Sequence, residues 1–301
     1  MQNPISRTAY YTLAVRNLDA AQPKPVCGDS LARSFMNPEA EGVWQQFKRY
    51  HRANASNAAR HAIIDEHLST VLEARPQAPV IVIGAGFDTR AFRLKGGHWI
   101  EVDEPSILTY KESRLPAARA PNRLTRVPIT FSRESLAERL SPFAGWESPH
   151  VIIEGVLMYL TQSQREELIA TLRKLFPNHF VYCDLMRKSF FEKYSRDVHE
   201  QIVGMGATFS DISEAPEKLF IDAGYQKLAC TSIPLRAAQS GNLDIPPLVV
   251  KWVLGTLRNG YCIWKFGPRK IGGTVQPVDA RQRGAASSVI QTSLCRAPRV
   301  K

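Results

Sequence analysis

The chain has 301 residues, 44% of them hydrophobic and 22% charged, which excludes wholesale disorder and allows a large core without disulfides or a structural metal. The formal charge of +11 suggests a nucleic-acid partner, but residues 271–301 set five basic side chains (Arg281, Arg283, Arg296, Arg299, Lys301) against Asp279 alone and so hold +4 of it. The other basic residues are interspersed with acids, and no block of them is built to follow a phosphate backbone.

The longest apolar runs, 80–83 and 151–153, are strand-sized and far short of the roughly 18 residues of a membrane span. No apolar leader core follows Met1. Five scattered cysteines (Cys27, Cys183, Cys230, Cys262, Cys295) form no C-x-x-C pair, which fits a reducing compartment. The expectation is a soluble, cytoplasmic protein.

Residues 1–75 read as helical. Segments 7–16 and 43–51 carry mixed polar and aromatic residues at loosely helical spacing. Segment 57–73 is the clearest helix, with Ala58, His61, Ala62, Ile64, Asp65, Leu68 and Leu72 at three- and four-residue intervals. Arg75-Pro76-Gln77-Ala78-Pro79 ends it. Strands are then expected at 80–83, 98–102, 124–128, 150–154 and 179–184, alternating with helices at 105–115, 132–140 and 161–176. That alternation predicts an α/β fold, a parallel sheet with helices on both faces. Its continuous apolar strands fit burial on both sides. A helix at 213–223, a strand at 225–230, a helix at 248–257 and a last strand at 261–266 complete the prediction. From residue 271 large apolar groups are scarce, and a flexible basic tail is expected. The chain thus reads as one domain, 1–270, made of a helical cap (1–75) and a core (76–270), followed by the tail.

Gly84-Ala85-Gly86-Phe87-Asp88-Thr89-Arg90 follows the first strand. Glycines there let the main chain approach a ligand at the carboxyl edge of a parallel sheet, although a tight turn without a ligand fits the same residues. A dinucleotide fingerprint would need a third glycine where Thr89 stands. Asp103 lies 17 residues after Gly86 at the end of the second strand, where an acid accepts both hydroxyls of an adenosine ribose. Glu101 projects from the same strand face. One of the two acids can meet ribose while the other caps or forms a salt bridge. Glu154-Gly155 ends the fourth strand, where a lone acid is often a helix cap.

The segments Gly84-Ala-Gly-Phe-Asp-Thr-Arg-Ala-Phe-Arg-Leu94, Ile100-Glu-Val-Asp103 with Pro105 following, and Ile153-Glu-Gly-Val-Leu-Met-Tyr-Leu160 resemble the leucine carboxyl methyltransferase superfamily. Within it, the bacterial tetracenomycin-type O-methyltransferase branch is the most similar. Ser6-Arg-Thr-Ala9, Gly28-Asp29 and Arg60-His-Ala-Ile-Ile-Asp65 resemble its helical cap.

The resemblance implies a class I, Rossmann-like seven-stranded methyltransferase sheet, mostly parallel with an antiparallel last strand, and S-adenosyl-L-methionine as methyl donor. It places Arg60 on the donor's carboxylate, Gly84 and Gly86 along its methionine moiety, and Asp103 on its ribose. It puts Glu154 beside the donor's amino group and the reaction centre, with Tyr159 near the sulfonium; Glu154 and Tyr159 are the catalytic candidates. Ala85, Asp88, Glu101, Thr130 and Phe131 complete the donor-binding set. Thr130 is a departure, because the family usually carries an acid there for the adenine amine.

The implied reaction is methyl transfer to a carboxylate or hydroxyl of a small acidic or phenolic metabolite, polyketide-like or aromatic. Arg187, Lys188, Phe190 and Phe191 are candidates for holding such an acceptor, and His51, His61, His67 and His199 are bases by residue type alone. A carboxyl methyltransferase acting on a protein carboxy-terminus, an RNA-binding protein and a catalytically silent donor-binding protein are the alternatives. No metal, membrane or nucleic-acid partner is expected.

Overall fold

The computed structural model describes residues 4–269, and the tail expected from residue 271 lies outside them. Seven strands, β1 (Pro79–Ile83), β2 (His98–Asp103), β3 (Arg123–Pro128), β4 (His150–Ile153), β5 (Phe180–Met186), β6 (Tyr225–Ser232) and β7 (Tyr261–Pro268), form one sheet in the order β3-β2-β1-β4-β5-β7-β6. Strands β1 to β5 run parallel. Strand β7 is wedged antiparallel between β5 and β6. The chain builds outward from β1 to β3, then returns to place β4 on the other side of β1. Their carboxyl ends therefore splay apart at the point where an open α/β sheet accepts ligands.

Helices α1 (Pro4–Ala20), α2 (Pro38–Phe47) and α3 (His51–Ala74) precede the sheet, and α4 (Arg90–Arg93), α5 (Pro105–Arg114), α6 (Leu136–Leu140) and α7 (Gln162–Leu175) connect its strands. Alternate residues of β1 go to opposite faces, as strand geometry requires. Val80 and Val82 meet Ile64, Leu68 and Leu72 of α3. Ile81 and Ile83 join Leu168, Ile169 and Leu172 of α7. A third cluster lies in the cap, where Tyr10, Phe35 and Phe47 gather around Phe87 of the glycine loop and Ile107 of α5. The Tyr10 ring stacks on Phe87 with centroids 5.0 Å apart.

All seven predicted strands are present, whereas several helices differ from expectation. The helix expected at 57–73 starts at His51; its first turns carry polar residues, so no apolar period marked them. The one expected at 43–51 instead ends at Phe47. The segment expected at 132–140 is helical only over Leu136–Leu140. The one at 213–223 is helical over Lys218–Asp222, since Pro216 disfavours helical geometry in the residue before it. The helix expected at 248–257 is two, Pro247–Trp252 and Gly255–Gly260. An unpredicted helix, Ile233–Gln239, carries Pro234 in its first turn, where the missing N–H costs nothing. Among the described residues no helix is long and apolar enough to cross a membrane.

A buried ion network ties the cap to the sheet. The Arg90 guanidinium, fully buried, donates to Asp65 of α3 (Nε, 2.5 Å), Asp88 (Nη1, 2.5 Å) and Glu154 (Nη2, 2.7 Å). Its Nη2 also lies 2.7 Å from His61 Nδ1. Arg93 donates to Asp65 and Thr89, and its Nη2 lies 2.9 Å from His61 Nε2. Arg16 pairs with Asp29, which also accepts from the Thr89 hydroxyl. Burial alone would raise the carboxyls of Asp29, Asp65, Asp88 and Glu154, but the surrounding arginines and His61 outweigh it and hold all four below their ordinary values.

Arg90→Met keeps the volume but leaves Asp88 without a cationic partner and takes one of the cations from Asp65 and from Glu154, which keep Arg93 and Arg60. Breaking a buried pair typically costs about 3–5 kcal/mol, so the urea midpoint should fall correspondingly. Stability from the four depressed carboxyls is present above their unfolded values, near 4. It should be lost as the pH falls from there toward about 2, the value to which Asp88 is lowered. Denaturant titrations across that range check this.

Candidate active site

The loop after β1 turns back on itself through two left-handed glycines, Gly84 at φ +67° and Gly86 at φ +45°. A Cβ on Gly84 would run into Val156, just beyond β4, so only glycine lets the two loops approach this closely. The loop is pinned to β2 by main-chain bonds from Gly84 and Ala85 to the Val102 carbonyl, 2.9 and 3.1 Å. A third bond runs from the Gly86 N–H to Asp103 Oδ2, 2.6 Å. The other oxygen of Asp103 accepts from the Glu104 N–H, 2.6 Å. Burial pushes this carboxyl up to about 6 against the pull of those two N–H groups. A carboxylate has about four lone-pair sites, so each Asp103 oxygen keeps capacity for a further donor.

The two acids of β2 part company. Asp103 lines the cleft. Glu101 lies away from it, buried against Lys111 Nζ at 2.8 Å and Arg126 Nε at 3.0 Å. It is a structural counter-ion for α5 and β3. Asp88 borders the cleft, but both its oxygens are taken by Arg90, through the main-chain N–H at 2.7 Å and through Nη1.

Arg60 reaches from α3 to the ends of β4 and β5. Its Nε donates to Glu154 Oε1 at 3.1 Å, and its Nη1 to Asp184 Oδ2 at 3.2 Å and to the Tyr261 hydroxyl at 2.9 Å. Gly155, at φ +68°, leaves room for the guanidinium; a Cβ there would sit 3.0 Å from Nη2. Asp184 also accepts from the Gly155 N–H at 2.6 Å and the Tyr261 hydroxyl at 2.7 Å. Glu154 faces Arg60, Arg90 and His61 at once, and these hold it ionised despite its burial. Sequence reasoning missed Asp184, Tyr261 and Arg90 as parts of this site. The available signal was an acid closing β5 as Glu154 closes β4.

Beyond β3, Thr130 itself does not border the cleft, whereas Phe131 and Glu134 do. Thr130 holds the Glu134 carboxylate through its main-chain N–H, 2.7 Å away. That bond and Arg139 lower the Glu134 carboxyl. An acid thus stands at this edge after all, supplied from four positions further along the chain.

The cleft, approximately 840 Å³ in all, continues under the cap, where Tyr11, Met158, Tyr159, Phe190, Ile202 and Phe209 border it. Ligand pockets commonly span roughly 300–1,000 Å³. Tyr159 sits on a short turn after β4, edge-on to Phe209 with centroids 5.2 Å apart, and burial raises its hydroxyl to about 12. Of the four candidate histidines only His51 and His61 border the cavity, and His61 is enclosed by Arg90, Arg93 and Glu154. Arg187 and Lys188 are absent from the lining; Arg187 is engaged with Glu214 and Glu217. Lys193 and Arg196, from the same segment, border the cavity instead. Among the described residues no group of three or more His, Cys, Asp or Glu is placed to hold a metal ion.

Residues 9–173 match the family model described as leucine carboxyl methyltransferase. The chain is 28% identical over 213 residues to the tetracenomycin polyketide synthesis O-methyltransferase TcmP of Streptomyces glaucescens, covering 68% of this chain and 74% of that protein. It is 29% identical over 187 residues to a Parafrankia protein that carries the name of an S-adenosyl-L-methionine-dependent methyltransferase, covering 57% of this chain and 59% of that one. The crystal structure of a DUF574 family protein from Streptomyces avermitilis shares the fold at a TM-score of 0.56 and 10% identity, over 85% of this chain and 97% of that one. The family match takes in the cap, the glycine loop and the ends of β2 and β4, more than half of the chain, and the protein therefore belongs to the leucine carboxyl methyltransferase family of S-adenosyl-L-methionine-dependent enzymes.

Proposed function

We propose that the protein is an O-methyltransferase that moves the donor's methyl group to an oxygen of a small acidic or phenolic metabolite, polyketide-like or aromatic. The observation that carries this reading is the continuity of one cleft, from Asp103 and the paired glycines, past Arg60 and Glu154, into the aromatic cavity beneath the cap. The relative TcmP bears the name of an O-methyltransferase of polyketide synthesis.

The residues present fit the donor. Asp103 has lone pairs left for the two ribose hydroxyls. The main chain of Gly84, Ala85 and Gly86 borders the cleft where the amino-acid half would lie. Arg60 keeps its Nη2 without a hydrogen bond among the described residues, suited to a carboxylate. Phe131 and Glu134 frame the adenine edge, Glu134 taking the part expected of Thr130. Glu101 and Asp88 hold the frame rather than the ligand. When bound, the donor supplies an already activated methyl group on a sulfonium. The protein's work is then alignment in a dry, preorganised pocket.

The lining also speaks to the acceptor. Glu154 is held ionised far below neutrality and is a poor base, so its part is to anchor Arg60 and Arg90 near the reaction centre. Tyr159 keeps its proton and serves as wall and hydrogen-bond donor. With Glu154 spent on two arginines and Tyr159 protonated, neither catalytic candidate serves as a base, which suits an acceptor oxygen that is already ionised, a carboxylate or an acidic phenol. The name of the matching family model points the same way.

Asp103→Ala should weaken binding of S-adenosylhomocysteine, measured by calorimetry, by roughly a hundredfold or more, since each hydrogen bond to a charged group is worth about 1.5–3 kcal/mol. In the wild type that affinity should fall as the pH drops through about 6, where Asp103 protonates; in Asp103→Asn it should be flat. Unchanged binding in Asp103→Ala would remove the basis of this reading. Methyl label on the acceptor distinguishes the two oxygens: a carboxyl ester releases it in mild base, an aryl ether does not.

A further inference from the structure

Three of the five N–H bonds of the Arg60 guanidinium are committed inside the protein. One is held by Glu154 through Nε, and two, on Nη1, by Asp184 and the Tyr261 hydroxyl. A guanidinium is planar, so fixing Nε and Nη1 fixes the plane in which Nη2 lies. Nη2 carries the two remaining N–H bonds, on the side of Gly155, the residue whose missing Cβ makes room for it.

The partners on Nη1 are themselves locked together. Tyr261 accepts from Arg60 and donates to Asp184 Oδ2 at 2.7 Å, while Asp184 Oδ1 takes the Gly155 N–H at 2.6 Å. One carboxylate thus sets Arg60, Tyr261 and the turn after β4 in register. These groups come from α3, the turn after β4, β5 and β7, four places far apart in sequence. Burial keeps the Tyr261 hydroxyl protonated, so its donating direction toward Asp184 does not reverse at neutral pH.

We propose that Asp184 and Tyr261 are positioning residues that hold the Arg60 guanidinium in the plane where Nη2 receives the donor's carboxylate. The proposal rests on the donor placement given above and adds to it the residues that make Arg60 selective for a carboxylate-bearing donor. Neither Asp184 nor Tyr261 is required to touch the donor.

The test compares S-adenosylmethionine with decarboxylated S-adenosylmethionine, which lacks only the carboxylate, by calorimetry on the full chain. Wild type should prefer the carboxylated ligand by tenfold or more, on the order expected for a charged pair held in a buried site. Tyr261→Phe, which removes one hydroxyl, should erase most of that preference by weakening the carboxylated ligand about five- to tenfold. Its affinity for the decarboxylated ligand should stay within about twofold, because the ribose and adenine contacts are untouched. Asp184→Asn should act in the same direction and more strongly, with Arg60→Lys as the limit in which discrimination is lost.

A merely structural role would weaken both ligands alike, and that result overturns the proposal. So does a Tyr261→Phe protein that keeps the full preference; the donor site would then stand while the positioning role falls. A folded wild-type protein that binds neither ligand overturns the donor site itself.

Discussion

The arginine at position 90 neutralises a convergence of charge that the fold cannot avoid. Three carboxylates, Asp65 from the cap, Asp88 from the glycine loop and Glu154 from the end of β4, meet at the carboxyl edge of the sheet with His61 between them. Buried carboxylates without partners would be far too costly to fold. The guanidinium meets all three because its donors point along fixed directions in one plane, which an ammonium cannot reproduce. Arg93 and Arg16 extend the same logic to Asp29, so the cap is joined to the sheet by charge as well as by the Tyr10, Phe35 and Phe87 cluster. The cleft keeps its shape because this network does.

Upon that frame, the acids fall into two groups. Those whose charge is met by buried arginine or lysine hold the frame: Asp29, Asp65, Asp88, Glu101. Asp103 instead is held at the cleft by two main-chain N–H groups, while Glu134, at the cleft edge, divides its oxygens between the Thr130 N–H and Arg139. Main-chain donors fix a carboxylate's orientation without neutralising its charge, which leaves an anion available to hydroxyl or amine donors. Glu154 stands between the groups, since it borders the cleft while its charge is spent on Arg60 and Arg90. A methyl transfer that depends on alignment rather than on proton removal has use for such an anchor, and less for a base.

Much of this was legible in the chain itself. The strands were, because a sheet buried on both faces demands short β-branched runs, and such runs at 80–83, 98–102 and 150–153 are bounded by proline, glycine or acid. The glycine loop and Asp103 were, because backbone conformation and strand-end position are local properties. The start of α3 and the divided helix near Val253 were not, since polar turns facing a cleft and breaks dictated by packing leave no periodic trace. Nor did local spacing separate Glu101 from Asp103; they share a strand face, and only Lys111 and Arg126 arriving from α5 and β3 decide which is spent.

By itself, then, the sequence determined the order of strands along the chain, the turn that needs glycine at 84 and 86, and the family to which those motifs belong, all features encoded within a few consecutive residues. Tertiary structure alone decided which charges are free. Arg60, Asp184 and Tyr261 lie 124 and 77 positions apart along the chain, and beyond β3 Phe131 and Glu134 border the cleft where Thr130 does not. A charged group's role depends on what neutralises it, and its neutralising partners are brought by the fold from segments that share no pattern with it.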